Sequence, residues 1–230
     1  MCREEAALAQ HFLRDPSVAE YIAGLVPSGL DVIEVGPGAG ALTIPLAKRS
    51  KTVYAIEIDK ALAERLRGIA PPNVVIIVGD ALEVEWPRAD FFVSNVPYSI
   101  TSPLLFKLIR HRLPAVLTIQ REVAERLVAR PGSEDYGRLT VAVQCFYDVE
   151  ILRVLPPYMF DPPPKVYSAV VRLMPKAPCV DNFDEFEKFS AWLFSARRKT
   201  LRRLKLADST KRVYQLTLEE LVELFKRHKA

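Results

Sequence analysis

The sequence predicts an α/β fold, a Rossmann-like sheet domain followed by a small α-helical domain. Three observations point there. Short apolar, β-branched runs alternate with helical stretches through most of the chain, the pattern of βα units. The first of these runs, Asp31-Val32-Ile33-Glu34-Val35, passes directly into Gly36-Pro37-Gly38-Ala39-Gly40-Ala41. Such a turn lets backbone approach a ligand at a helix N-terminus. After Pro175-Lys176-Ala177-Pro178 the chain becomes basic and helix-patterned, which places the sheet domain in residues 1–175 and the helical domain in residues 176–230.

Composition narrows the classes. At 230 residues, with half of them apolar and 26% charged, the chain reads as an ordinary soluble globular protein. No apolar run reaches the length of a membrane span, and no leader pattern opens the sequence. The cysteines, Cys2, Cys145 and Cys179, are few and scattered. They read as reduced thiols of a cytoplasmic protein, with neither a disulfide framework nor a metal site. From Lys176 onward there are 13 Lys and Arg against 8 Asp and Glu. The basic excess therefore lies in the last quarter, as expected for a polyanion-binding element. Many prolines and few Asn and Gln hint at a thermophilic source.

In chain order, Asp15-Pro16 reads as an N-cap and first helical residue, opening a helix to about Val26 with Val18, Ile22 and Leu25 inward. A strand at 31–35, the glycine turn and a helix over 42–48 follow. The second strand, 52–58, ends in Glu57, placed to accept ribose hydroxyls. Gly36, Gly38 and Ala41 also satisfy a dinucleotide fingerprint, so a dehydrogenase remains open at this point. The third strand, 74–78, leads to Gly79-Asp80-Ala81, where a carboxylate can accept from an adenine amine. Strand ends carrying Gly, Glu and Asp in this order resemble the class I methyltransferase pattern for S-adenosylmethionine.

The fourth apolar run, Phe91-Phe92-Val93, delivers Ser94-Asn95-Val96-Pro97-Tyr98 at a strand's carboxyl end, where ligands bind in open α/β sheets. This stretch resembles the catalytic motif of amino methyltransferases acting on nucleobases. An adenine amine is a poor nucleophile because its lone pair is delocalised. If the Asn95 side-chain oxygen and the Pro97 carbonyl accept its two hydrogens while Tyr98 stacks on the ring, the lone pair is freed. Positioning then supplies most of the catalysis without a general base.

Beyond lie a helix at 102–111, a strand at 115–120, a helix at 121–129, and a segment at 136–147 read as a helix in preference to a strand. Two β-rich runs, 149–154 and 167–173, form a hairpin pair around the proline-rich loop 156–166. That loop presents Phe160 as a second aromatic for the base. In the C-terminal domain, helices are expected at 184–194, 195–206 and 218–228, the last announced by Thr217 and Glu220. Trp192 and Tyr214 read as core residues. The cluster Arg197, Arg198, Lys199, Arg202 and Arg203 suits RNA phosphates.

Gln10-His11-Phe12-Leu13, Glu34 to Thr43, Ala55 to Asp59, Gly79-Asp80-Ala81, Asn95-Val96-Pro97-Tyr98, Phe160 to Val166 and Arg197-Arg198-Lys199 together resemble the KsgA-type ribosomal RNA adenine dimethyltransferases, in an archaeal-like form, across nearly the whole chain. The resemblance implies S-adenosylmethionine-dependent dimethylation of two adjacent adenosines in the 3′-terminal hairpin loop of small-subunit RNA. It implies a monomer acting on small-subunit ribosomal RNA in a pre-30S particle. Cofactor-site residues would be His11, Leu13, Gly36, Gly38, Glu57, Asp80, Ala81 and Asn95; base-site residues would be Asn95, Pro97, Tyr98 and Phe160. His11 stands where many members carry Asn, and Val96 where Leu or Ile is commoner. Rival readings are a large-subunit adenine methyltransferase of the antibiotic-resistance type, a DNA adenine methyltransferase, and a non-catalytic assembly factor on the same fold.

Overall fold

The computed structural model describes residues 11–229, which form two compact units. The first holds the chain up to Arg121 together with Glu150–Leu173; the second holds Glu122–Val149 and the chain from Met174 onward. The second unit thus takes in residues 122–149, which the sequence reading assigned to the sheet domain.

The first unit begins with β1 (Phe12–Leu13) and α1 (Pro16–Gly24). Asp15 caps α1 by accepting from the Ser17 N–H at 2.9 Å, which satisfies one of the orphan donors of a helix start. Val18 and Ile22 are buried as expected. Leu25 instead caps the helix end, half-buried, and Val26 takes the inner position.

Then come β2 (Asp31–Val35), α2 (Thr43–Ala47), β3 (Thr52–Glu57), α3 (Lys60–Arg67), β4 (Val74–Val78), β5 (Phe91–Asn95), α4 (Thr101–His111) and β6 (Ala115–Gln120). The sequence reading named no helix at α3, although Asp59 caps it by accepting from Ala61 and Leu62. Further along lie β7 (Tyr147–Leu155), β8 (Phe160–Asp161) and β9 (Ser168–Pro175).

The main sheet runs β4-β3-β2-β5-β6-β9-β7. β2 pairs in parallel with both β3 and β5, and β9 runs antiparallel to β6. Strand order reverses between β2 and β5, so the crevice at their carboxyl ends is the switch point where ligands bind in this architecture. One side of the sheet packs Val32, Val53, Phe91 and Val116 against Val18, Ile22 and Leu46. β1 pairs antiparallel with β8, setting Leu13 opposite Phe160.

The second unit contains α5 (Arg121–Leu127, apart from its first residue), α6 (Arg138–Gln144), α7 (Phe183–Ser195) and α8 (Leu218–Lys229). The helical reading of 136–147 is met over Arg138–Gln144 by α6, whereas Tyr147 opens β7. Edge-on ring pairs, Phe146 with Phe183 and Phe186 with Phe225, fill its core. The Thr217–Glu220 capping box forms, with bonds of 3.0 and 3.3 Å.

Three expectations fail here. Cys145 and Cys179 are joined as a disulfide across a Cα separation of 5.1 Å. They meet because the Cys179 N–H donates to the Cys145 carbonyl at 3.0 Å, a register invisible from their spacing. No helix forms over 195–206. Instead Leu201 and Arg202 donate their N–H groups to Lys211 and Ser209, and Lys205 takes a left-handed φ of 58°. Trp192 is 47% exposed and stacks on His228 rather than entering the core. No helix among the described residues is long and apolar enough to cross a membrane.

Candidate active site

The carboxyl ends of β2, β3, β4 and β5 carry the candidate residues. Gly36 and Gly38 have φ of 69° and 54°, a region that side chains other than hydrogen seldom occupy. A β-carbon at Gly38 would lie 2.5 Å from the Phe12 ring, so the loop requires glycine for space as well as for conformation. Glu57, 2% exposed, accepts from the Gly38 N–H through Oε2 and from the Asp59 N–H through Oε1, both at 3.0 Å. The carboxylate is thereby held rigid and keeps lone pairs for a ligand.

Asp80 accepts from the Leu82 N–H through Oδ1 at 2.8 Å, while its carbonyl accepts from Glu83 and Val84. Asp80 and Glu57 face a cavity of about 170 Å³ whose other walls include Ile56, Ile58, Ala81 and Ile100. Apolar walls with carboxylates at the rim suit an adenosine: a flat ring with an amine, and a ribose with hydroxyls.

A second, narrow cavity of about 30 Å³ adjoins it, sharing Gly36, Glu57 and Pro97, and is lined further by His11, Asn95 and Tyr98. It has room for about one water. A purine enters only if His11, Phe12 and Tyr98 draw apart.

Asn95 Nδ2 donates to the His11 carbonyl at 2.8 Å, which orients the amide and leaves Oδ1 as its acceptor. The Pro97 carbonyl accepts from the Ile100 N–H at 3.0 Å and keeps its second lone pair. Tyr98 Oη and Ser168 Oγ are 2.6 Å apart. His11 Nδ1 lies 2.6 Å from the Pro162 carbonyl, so that nitrogen carries the proton and donates.

Beneath the glycine turn sits Glu34, 1% exposed. Burial pushes its carboxyl up to about 8; the Thr43 hydroxyl opposes the rise and the Glu57 carboxylate adds to it. Neither Glu34 Oε2 nor Thr43 Oγ1 has a well-formed hydrogen bond among the described residues.

Two expected site residues lie elsewhere. Phe160 is 1% exposed and packs in the core with Val18, Ile22 and Phe91, because the β1–β8 pairing turns its ring inward. It offers no face to a base in this conformation. Leu13 joins the same core and lines neither cavity. Ala81, 5% exposed, shows the larger cavity only a wall. Phe12, Ile58, Ile100 and Ser168 were not singled out from sequence. Phe12 and Ile58 lie within the runs that carry the family resemblance, whereas Ile100 and Ser168 leave no trace in the sequence.

In the second unit Arg197 turns inward, donating to the carbonyls of Glu134 and Tyr136 at 2.8 and 3.1 Å and lying over the half-buried Tyr214 ring. Arg202 pairs with Asp208 at 2.8 Å. Arg198, Lys199 and Arg203 are exposed, with no carboxylate partner among the described residues.

The profile of the ribosomal RNA adenine dimethylase family matches residues 2–223. A curated "Probable ribosomal RNA small subunit methyltransferase A" from Pyrobaculum islandicum is 74% identical over 220 residues, covering 96% of this chain and 94% of its own. A "Ribosomal RNA small subunit methyltransferase A" from Thermotoga petrophila is 40% identical, over 96% of this chain and 90% of its own. Among solved structures, a dimethyladenosine transferase from Plasmodium falciparum superposes with a TM-score of 0.85 at 30% identity, covering 95% and 98% of the two chains. The 23S rRNA methyltransferase ErmE does so at 0.67, also at 30% identity, covering 95% and 100%. The chain belongs to the ribosomal RNA adenine dimethylase family.

Proposed function

We propose that this protein transfers methyl groups from S-adenosylmethionine to the exocyclic amines of two adjacent adenosines in the 3′-terminal hairpin loop of small-subunit ribosomal RNA. It acts as a cytoplasmic monomer on a pre-30S particle. The observation that carries the reading is the tip of β5. Asn95 Oδ1 and a Pro97 carbonyl lone pair are left as acceptors there, beside a cavity walled by Glu57 and Asp80.

When bound, S-adenosylmethionine supplies an electrophilic methyl group on a sulfonium. Asp80 receives the adenine amine, Glu57 the ribose hydroxyls, and the Gly36–Gly38 turn allows close approach of the backbone. His11 and Ala81 complete the walls. On the substrate side, Asn95 and Pro97 each accept one hydrogen of the target amine and draw its nitrogen towards pyramidal geometry; the freed lone pair would form the new N–C bond as the sulfonium S–C bond breaks, and one amine proton would pass to solvent. Tyr98, with its hydroxyl held by Ser168, stacks on the purine. A fixed pair of acceptors costs no reorganisation during transfer, which is the main source of rate in such a site. The exposed Arg198, Lys199 and Arg203 contact RNA phosphates, while Arg197 holds the turn that presents them.

The small-subunit substrate is favoured over the large-subunit one by the names of the relatives at 74% and 40% identity and by the higher TM-score of the dimethyladenosine transferase. Incubating unmethylated small and large subunits with the protein and labelled S-adenosylmethionine tests this. Label is expected on two adjacent adenosines of the small subunit. Label on the large subunit alone would reject the assignment.

A further inference from the structure

We infer that Lys107 is a positioning residue for the cofactor site, an ammonium clamp that fixes the Asp80 turn from behind. The inference rests on the reading of Asp80 as the adenine-binding carboxylate. Lys107 projects from α4, and its Nζ lies 3.0, 3.2 and 2.5 Å from the carbonyls of Ala81, Leu82 and Val84. Three donors thus meet three acceptors, which exhausts the ammonium.

Those carbonyls belong to the turn that Asp80 opens. Asp80 ties its near end by accepting from Leu82, Glu83 and Val84. Lys107 ties the far end, as a cation does at a helix C-terminus. Trp86 closes the clamp: its Nε1 donates to the same Ala81 carbonyl at 2.9 Å, and Lys107 Nζ lies 5.1 Å from its ring centre. Phe92 and His111 stack on the Trp86 ring, at 4.9 and 4.7 Å between centroids. The turn is neither helix nor strand, and its two backbone bonds to the Asp80 carbonyl are supplemented by the side chains of Asp80, Lys107 and Trp86. Without Lys107, the Leu82 and Val84 carbonyls have no donor among the described residues, and the turn that directs Asp80 is held only by its own bonds and by Trp86.

The probe is S-adenosylhomocysteine, which carries the adenine without the reactive methyl. Its binding is measured by titration calorimetry for the native protein, Lys107→Met, Asp80→Asn and the double variant. Lys107→Met is expected to weaken binding about tenfold, and Asp80→Asn to weaken it as well. The double variant is expected to be no worse than the weaker single one, because the clamp acts through Asp80. In turnover, Lys107→Met raises the KM for S-adenosylmethionine and leaves kcat in place, a split that general loosening of the fold does not produce. Lys107→Arg keeps the charge without three convergent donors and falls between native and Met; it also serves if the Met variant does not fold. Native affinity in Lys107→Met alongside weakened Asp80→Asn overturns the clamp alone, as do strictly additive losses. Native affinity in Asp80→Asn overturns the adenine-site reading on which the clamp depends.

Discussion

Glu34→Gln replaces a buried carboxyl whose Oε2 has no well-formed hydrogen bond among the described residues. In the folded protein burial raises Glu34 from 4.5 to about 8. Between those values the folded state therefore holds a proton that the unfolded chain has released. Stability from this group is fully present below pH 4.5 and is lost as pH rises through 8. At about 1.4 kcal/mol per unit, the raised value corresponds to about 5 kcal/mol over the whole window. Glutamine keeps the shape and cannot ionise. The difference in unfolding free energy between Glu34→Gln and native protein should accordingly grow in favour of the variant from pH 5 to pH 8, at a slope approaching 1.4 kcal/mol per unit. Denaturant unfolding at half-unit intervals reads it, with a common m-value as the control on two-state behaviour. A difference that stays flat across the window would refute the idea of a protonated acid beneath the glycine turn.

Other consequences concern separate parts of the chain. Ser168→Ala removes the hydroxyl that lies 2.6 Å from Tyr98 Oη, and kcat should fall about tenfold, the worth of one partly buried hydrogen bond, with cofactor affinity unchanged by calorimetry. Reducing the Cys145–Cys179 bond, which closes a span of 34 residues, should lower stability by about 4 kcal/mol on the chain-entropy account; unfolding with and without reductant measures it. Arg198→Glu with Arg203→Glu should weaken subunit binding and flatten its salt dependence, whereas Arg202→Glu, already paired with Asp208, should change that slope less.

Much of the sheet was legible because its signals are local. The buried parallel strands read as apolar runs, and Asp15, Gly36 and Thr217 mark element ends with side-chain chemistry that acts within a few residues. The placement of Glu57, Asp80 and Asn95 followed from topology, since successive parallel strands must present the same end to one crevice. What escaped depended on distant partners. The burial of Phe160 is decided by β1, nearly 150 positions away in sequence. The disulfide needs two sheet strands to bring its halves together. The 195–206 segment has helix-forming residues, but the N–H groups of Leu201 and Arg202 at its centre find the carbonyls of Lys211 and Ser209, and tertiary pairing overrides propensity. Lys107 carries no motif at all; its role exists only once α4 lies behind the Asp80 turn.

Activation of the amine at the tip of β5 stands or falls on Asn95. In single turnover with saturating S-adenosylmethionine and unmethylated small subunits, Asn95→Ala should transfer methyl groups at least about a hundredfold more slowly than native protein, while calorimetry shows S-adenosylhomocysteine bound with nearly native affinity. Transfer at the native rate would contradict the account, because the amine would then be activated without its proposed acceptor.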